Sequence, residues 1–576
     1  MPRHLATCCR RTTLLFLGGS GALAVAASGM AQQFQQQTTT RFPTQAEYTN
    51  QATFGDLDGD GDLDIVFANG QGYSSLGALL KPRIYVNDGT GVFADETDAR
   101  AAGVTGCFRG VELGDCDGDG DLDMVLAQDF FRKPKLLLND GTGVFTDASD
   151  RLPDANLSSA RAQFGDIDDD GDLDLVFNHS GTSSRFGANG APRLYLNDGT
   201  GHYSDASAER IPTAIIPDQQ DILFFDMDLD LDLDLHVATR SSSNGGSQIW
   251  RNEGGVFVRI SGVPTDFSTY SYDAGDCDGD GDLDLIGANA DSSNREMLLR
   301  NFAGDGSIWQ KISSQITPNP SVDDNDTKFL DLDNDGDLDL IVAVLGGTRE
   351  RVYVNSGDCT FVENTSLISS QSDSSLDVMV GDLTGDGRLD IVTAQGESGN
   401  FQNRIYVNVN GPVDTLAPRV LAMDAAAPAK GDLPGPQRVR AVVVDDMTSD
   451  RGFFARSMEL RFVVGGGKEQ SVDMAWAGNS LWRGVLPEFP PCSEVTYWVV
   501  AEDPAGNVGQ SKAVAYVSPG DCGGNPADLD GDGSVGGADL AIVLAAWGSK
   551  GGPADLDGDG SVGGADLAMV LAAWGG

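Results

Sequence analysis

Between residues 52 and 410 the alternation of apolar and polar positions repeats itself. In each unit a short apolar run, such as residues 52–54, 111–113 or 376–380, enters a cluster of aspartates. A second run, residues 63–68 in the first unit, leaves it. A third follows, Arg83-Ile84-Tyr85-Val86 or Arg193-Leu194-Tyr195-Leu196. Asn-Asp-Gly-Thr-Gly then turns the chain into a fourth, residues 92–95 in the first unit. Runs this short, bounded by Gly and Asp, read as strands, and Asp-Gly inside the turn marks a tight hairpin. The acidic clusters begin at Asp56, Asp115, Asp166, Asp226, Asp276, Asp331 and Asp382, so the period is about 50–60 residues. Four antiparallel strands repeated seven times predict an all-β fold, a seven-bladed β-propeller over residues 32–412. The seventh unit ends near Asn410 without a fourth strand. Residues 38–44 have the pattern to supply it and close the ring.

The clusters carry chemistry. In a nine-residue loop, oxygens from positions 1, 3, 5 and 9, with a backbone carbonyl at 7, surround a hard cation, and Gly at 6 allows the sharp turn. The candidate metal positions are Asp56, Asp58, Asp60, Asp62 and Asp64 in the first loop and Asp115, Asp117, Asp119, Asp121 and Asp123 in the second. The third has Asp166, Asp168, Asp170, Asp172 and Asp174; the fourth has Asp226, Asp228, Asp230, Asp232 and Asp234. The fifth has Asp276, Asp278, Asp280, Asp282 and Asp284; the sixth has Asp331, Asp333, Asp335, Asp337 and Asp339. The seventh reads Asp382, Thr384, Asp386, Arg388 and Asp390. A flexible all-oxygen cage suits Ca²⁺ better than Mg²⁺, which keeps its waters. Leu231 in place of the glycine and Thr384 in place of an aspartate should weaken the fourth and seventh loops.

Composition sharpens this picture. The 576 residues hold 87 Asp and Glu against 38 Lys and Arg, a formal charge of −49. That balance disfavours nucleic acid and anionic membranes as partners. Residues 1–31 read as a secretion signal: Arg3, Arg10 and Arg11 precede a small-residue apolar stretch at 14–27, and Gly29-Met30-Ala31 gives a cleavage site. A secreted or cell-surface location follows, with no membrane span. Six cysteines remain after the signal, of which Cys492 and Cys522 bracket one C-terminal segment and form the expected disulfide; Cys107, Cys116, Cys277 and Cys359 are left without assignment.

The repeated residues closely resemble the FG-GAP/VCBS repeats of the integrin α-subunit propeller and its bacterial relatives, over about two thirds of the chain. The resemblance implies that the metal loops are structural and that partners bind elsewhere on the propeller. Loops joining strands two and three lie at the end opposite the acidic loops. They carry Tyr73, Phe130, Phe131, Arg132, Arg185 and Phe186, candidate ligand contacts because aromatics and Arg are enriched at binding hot spots.

After residue 418 the acidic loops stop and apolar strands appear at 439–444, 458–464, 494–501 and 513–517. Tyr497-Trp498-Val499-Val500-Ala501-Glu502-Asp503 resembles the late strands of immunoglobulin-like or fibronectin-type modules, which implies a β-sandwich spacer over residues 418–520. The tail, 526–576, repeats one twelve-residue loop with candidate ligands Asp528, Asp530, Asp532, Ser534 and Asp539, then Asp555, Asp557, Asp559, Ser561 and Asp566. Apolar residues 540–547 and 567–574 read as short helices. This loop–helix pair resembles type I dockerin modules, which implies a cohesin-like or surface partner. Gly537-Ala538 and Gly564-Ala565 stand where that family carries hydroxyl residues. Together the nine loops hold 42 of the 87 acids, and filling them with Ca²⁺ would leave about −31.

Catalytic material is thin. His4 lies in the signal, while His179, His202 and His236 are scattered. There is no Gly-x-Ser-x-Gly elbow and no phosphate loop. The chain reads as a calcium-dependent adhesion or recognition protein whose propeller binds a protein or glycan. The alternative is a polysaccharide-acting lyase or glycoside hydrolase, or its carbohydrate-binding accessory.

Overall fold

The computed structural model describes residues 33–574 apart from 73–74, 181–188, 214, 243–244, 265, 290–294, 346–348, 373, 397–398, 426–436, 446–453, 519–524 and 532–533. The signal reading at 1–31 therefore lies outside the described residues, as do Tyr73, Arg185, Phe186, Cys522 and Asp532.

Each repeat forms an antiparallel sheet because its apolar positions alternate around Asp-Gly turns. In the first, Thr49–Gly55, Asp64–Asn69, Arg83–Asn87 and Phe93–Asp95 pair in that order. Sheets of the same order recur through Ser375–Gly381, Asp390–Gln395 and Arg404–Asn408. The sixth gains a short parallel strand, Ile316–Thr317, against Phe361–Glu363. The entering strands pack side by side: Thr49–Gly55 on Phe108–Gly114, then Ala162–Gly165, Gln219–Phe225, Thr269–Gly275, Asp324–Leu330 and Ser375–Gly381, which returns to Thr49–Gly55. The result is an all-β, propeller-like body with few helices.

Closure differs from the expectation. The strand that completes the last sheet is Phe34–Gln36, antiparallel to Arg404–Asn408, with Phe34 opposite Asn408. Thr38–Arg41, expected inside that strand, is a helical turn. The reason lies in the repeat. Short helical turns also follow the fourth strands at Thr97–Arg100, Ser149–Arg151 and Ser207–Arg210, each ending in Arg. Residues 34–41 are therefore a fourth strand and its turn, delivered from the other end of the chain.

Residues 419–517 form two facing sheets. One orders Arg419–Met423, Gln437–Val444, Leu481–Leu486 and Ala475–Gly478; the other centres on Ser457–Val464 and Glu494–Glu502. Val439, Leu460, Leu486, Tyr497 and Val499 are fully buried between them. The expected spacer does not stand apart. It seats on the acidic-loop end of the propeller, where Val442, Ala477 and Leu481 share one buried cluster with Leu231, Leu233 and Ile222. The Asp166 amide donates to the Ala477 carbonyl across this junction (2.8 Å).

In the tail, helices Gly537–Ala545 and Gly564–Ala572 start about three residues before their apolar runs and enclose a core of small residues, Ala527, Val535, Val543, Ala554, Val562 and Val570.

Candidate metal centres

The seven propeller loops share one backbone. Position 6 takes positive φ throughout, from 72° to 105°, at Gly61, Gly120, Gly171, Leu231, Gly281, Gly336 and Gly387. Leu231 thus keeps the turn that glycine makes elsewhere. With Leu229, also at positive φ, it packs its apolar side chain against the C-terminal domain. The departure from glycine is a docking contact bought with local strain of about 1–3 kcal/mol per residue.

Within a loop, the first aspartate organises the turn. Both Asp56 oxygens accept backbone amides, Oδ1 from Gly59 (2.8 Å) and Oδ2 from Gly61 (3.0 Å). The ninth aspartate is fully buried at the loop's inner end and bridges two strands. Asp64 Oδ1 accepts the Asn87 amide (2.8 Å), and Oδ2 accepts that of Leu57 (3.2 Å). Burial pushes these carboxyls up, to about 7 at Asp64, 6 at Asp123, 8 at Asp174 and Asp339, and 7 at Asp390. Backbone donors oppose the shift and neighbouring aspartates add to it. At position 7, burial and the adjacent aspartate raise Asp232 to about 8 and Asp282 to about 7.

The third position is the informative one. Oδ1 of Asp58, Asp117, Asp168, Asp228 and Asp278 is buried with no hydrogen-bond partner in five successive loops. Thr384 Oγ1, at the same place in the seventh, shares this state. A buried, unpaired acceptor is costly, about 1–3 kcal/mol and more when charged. Ligand oxygens of Asp56, Asp58 and Asp60, of Asp115, Asp117 and Asp123, of Asp166, Asp168 and Asp170, and of Asp226, Asp228 and Asp230 each fall within 4.8 Å of one another. An all-oxygen set with orphaned acceptors fits a hard cation.

Three supporting features were missed in the sequence. The other carboxylate oxygen at position 3 meets an arginine: Arg100 with Asp58 (2.7 Å), Arg210 with Asp168 (3.0 Å) and Arg251 with Asp228 (2.9 Å). The same arginines hold the next sheet's hairpin, as Arg100 does at the Thr142 carbonyl (2.6 Å). In the seventh loop, Arg388 pairs with Asp386 (2.9 Å) and donates to the Gly411 carbonyl, so a guanidinium already sits in that loop.

The second feature is an inter-sheet latch. The Asn that opens each hairpin reaches back to the position-2 carbonyl of the preceding loop: Asn139 to Leu57 (2.8 Å), Asn197 to Cys116 (2.7 Å), Asn355 to Cys277 (2.7 Å) and Asn87 to Leu383 (3.0 Å). Gln33 plays this part at Leu332 (2.8 Å), where the ring closes. Between the fifth and sixth sheets a Cys277–Cys359 disulfide reinforces the latch, while Cys107 and Cys116 are buried thiols. Cys492 is disulfide-bonded, and its expected partner lies outside the described residues.

The third lies on the axis. Gln51, Gln163, Asp221, Asp273, Asp326 and Asp377 each accept a backbone amide from the next entering strand, as Asp377 does from Ala52 (2.9 Å). Arg161 pairs with Asp377 (3.0 Å) and Asp221 (3.3 Å) inside this ring.

The docked domain brings its own arginines to the loops. Arg419 donates to Asp276 (3.1 Å), Arg440 to the Leu231 carbonyl (2.7 Å) and Arg483 to the Asp170 carbonyl (3.1 Å). Of the candidate ligand contacts on the opposite end, Phe130 and Phe131 hold positive φ (58° and 53°), Phe131 is exposed, and Arg132 exchanges backbone bonds with Leu157.

In the tail, Asp539 Oδ1 accepts the Leu529 amide (2.6 Å) and Oδ2 that of Gly536 (2.7 Å); Asp566 does the same with Leu556 and Gly563. The Gly536 and Gly563 amides hold both carboxyls below the usual range. Each thus ties its loop to the start of its helix. Asp555 Oδ1 is buried without a partner.

Sheets of four antiparallel strands around latched acidic loops define a propeller-type repeat protein. A family model described as FG-GAP-like repeat matches residues 12–67, 115–177, 226–287, 276–342 and 331–393, and these segments contain all seven loops. The chain is an FG-GAP repeat protein of the β-propeller type. A search of curated proteins found no match. Among solved structures, the chain is similar to one described provisionally as a gluconolactonase, at 11% identity and a TM-score of 0.30, covering 66% of this chain and all of that one. It is also similar to a periplasmic gluconolactonase of Pseudomonas aeruginosa, at 14% and 0.24, covering 62% and 97%. Overlap at this level says nothing about activity.

Proposed function

We propose that the chain is a secreted, calcium-binding recognition protein. Its seven-bladed FG-GAP/VCBS propeller holds a protein or glycan ligand, an immunoglobulin- or fibronectin-like sandwich braces the acidic-loop end, and a dockerin-like tail attaches the whole to a surface or complex. The observation that carries the calcium reading is the recurrence of a buried, unpartnered position-3 carboxylate oxygen in five loops. Ca²⁺ accepts six to eight oxygens in flexible geometry, which such loops offer; Mg²⁺ would demand an octahedron and retained water. Bound ions would supply the positive charge that the clustered, upshifted carboxyls lack.

The tail supports attachment. Leu544 in one helix and Trp547 in the turn after it, and Leu571 and Trp574 likewise at the other, leave about half of each side chain exposed (53, 50, 53 and 49%). Paired apolar and aromatic groups on two equivalent helices suit a protein partner. His179 and His236 are buried, with pKa values pushed down by burial to about 4 and 3, so neither is placed for proton transfer to a ligand.

Native gels cast with a panel of polysaccharides, run with Ca²⁺ and with chelator, test the reading. Calcium-dependent retardation on one glycan supports recognition, and product analysis on that glycan separates binding from cleavage. Retardation that ignores chelator contradicts the calcium role.

A further inference from the structure

The seating of the C-terminal domain is uneven. Its arginines grip the third, fourth and fifth loops, and over the first and seventh loops the two bodies part to leave a cavity of about 610 Å³. Small-molecule sites typically span about 300–1,000 Å³ and favour domain interfaces. Part of the lining is apolar, made by Phe454, Pro504, Ala505 and Val413; the propeller side carries the loop aspartates Asp56, Asp62, Asp382 and Asp386 beside Leu63 and Leu383. Of these, Asp62 stands at the loop position where the metal would take a backbone carbonyl, which leaves its carboxylate to a ligand. Arg456 stands at the cavity with its guanidinium 3.6 Å from Glu502.

Phe454 is the odd residue. It holds φ of 53°, the left-handed region that aromatic side chains rarely adopt, and its ring lies 6.2 Å from that of Phe54 in the first entering strand. Phe454 packs against the propeller core and the sandwich core alike. Strain of this kind persists only where surroundings over-determine it, and it clusters at ligand clamps.

We infer that this interdomain cavity binds a neutral oligosaccharide of about two or three rings. A pyranose has one C–H-rich face, which stacks on an aromatic or proline surface, and a rim of hydroxyls, which donate to carboxylates. The cavity is lined by both kinds of surface. The acidic wall, in a chain of formal charge −49, disfavours uronic or sulfated sugars. The inference rests on the glycan side of the proposed function and assigns it to a site away from the loops at the open end of the propeller.

The test is calorimetric titration of the full calcium-loaded chain with neutral hexasaccharides of glucose, mannose and xylose. Ala505→Trp and Ala455→Trp would fill the cavity from the sandwich side. Ala505 is exposed and Ala455 half-buried, and an unchanged melting temperature verifies each fold. Saturable binding of one oligosaccharide, weakened at least about tenfold by either substitution, is expected. Hydrogen exchange on the unsubstituted chain should show protection at residues 61–63, 383–387 and 504–505 when that sugar is added. Binding that both variants retain, or protection elsewhere, overturns the inference and leaves glycan recognition standing. Absence of binding to every glycan, including the polysaccharide panel, overturns both.

Discussion

One acidic loop motif serves two regions that are held together in different ways. In the propeller, every loop sits in a frame of strands and side-chain latches. Strands flank it, its ninth aspartate is held by backbone amides, two of them in the first loop, and a side chain from another sheet latches its second carbonyl, Gln33 at the sixth loop and asparagines elsewhere. In the tail, two loops and two nine-residue helices enclose six small buried residues. A core of that size rarely suffices without a staple. On the proposed calcium reading, one ligand set would trim an already framed body in the propeller and decide whether the small tail folds.

Calcium removal should split the two regions most widely. With chelator, the helical far-UV signal of the tail is expected to collapse at room temperature, while the propeller's sheets persist and melt at a lower temperature than with calcium. Simultaneous loss of both would erase the distinction.

Next in size is the axial clamp. Asp377→Ala strips Arg161 of one partner and leaves the Ala52 amide unsatisfied at the ring's closure. Breaking such a buried pair should cost about 3–5 kcal/mol in urea unfolding of the propeller. The tail's melting should not move.

Acid sharpens the contrast because no histidine lies in the tail. Burial holds His236 down to about 3, so as pH falls below about 6.5 the unfolded chain takes up a proton that the folded chain refuses. Stability is lost across that window, from pH 6.5 toward 3, at up to about 1.4 kcal/mol per unit. His236→Phe should therefore gain on the parent protein progressively between pH 6.5 and 4, about 3 kcal/mol at the end. Parallel curves for parent and variant would refute the assignment.

The smallest effect comes from copying the natural staple. Gly201 occupies in the third sheet the hairpin place that Cys359 holds in the sixth, both at positive φ, and a Cβ there would lie 3.5 Å from Cys116 Sγ. Gly201→Cys should consume the Cys116 thiol and stabilise the propeller by about 2 kcal/mol. Thiol titration before and after reduction reports the bond.

The sequence made the loops, the four-strand repeat and the tail helices legible, since Asp-Gly turns and alternating apolar runs are local signals. Closure was misplaced by a few residues: the run Thr38-Thr39-Thr40 looks like strand, yet it occupies the place of the helical turn that follows other fourth strands. The axial ring was hidden because Asp377 sits inside a run, 376–380, read as apolar. A polar residue at the same place in each entering strand was the available signal. The packing role of Leu231 was hidden because nothing local shows that a second domain covers it. The latches, the arginine braces and the docking are contacts between residues about 40 to 300 positions apart, and no short-range pattern encodes them.

The direct test of the account is a calcium count. Native mass spectrometry of the mature chain during a Ca²⁺ titration should show about seven ions taken up tightly, five in the propeller and two in the tail, with up to two more held weakly by the fourth and seventh loops. Ala substitution at Asp58 should remove one ion and leave the rest. No uptake, or equal and interchangeable uptake of Mg²⁺, would contradict the claim that these loops are calcium cages.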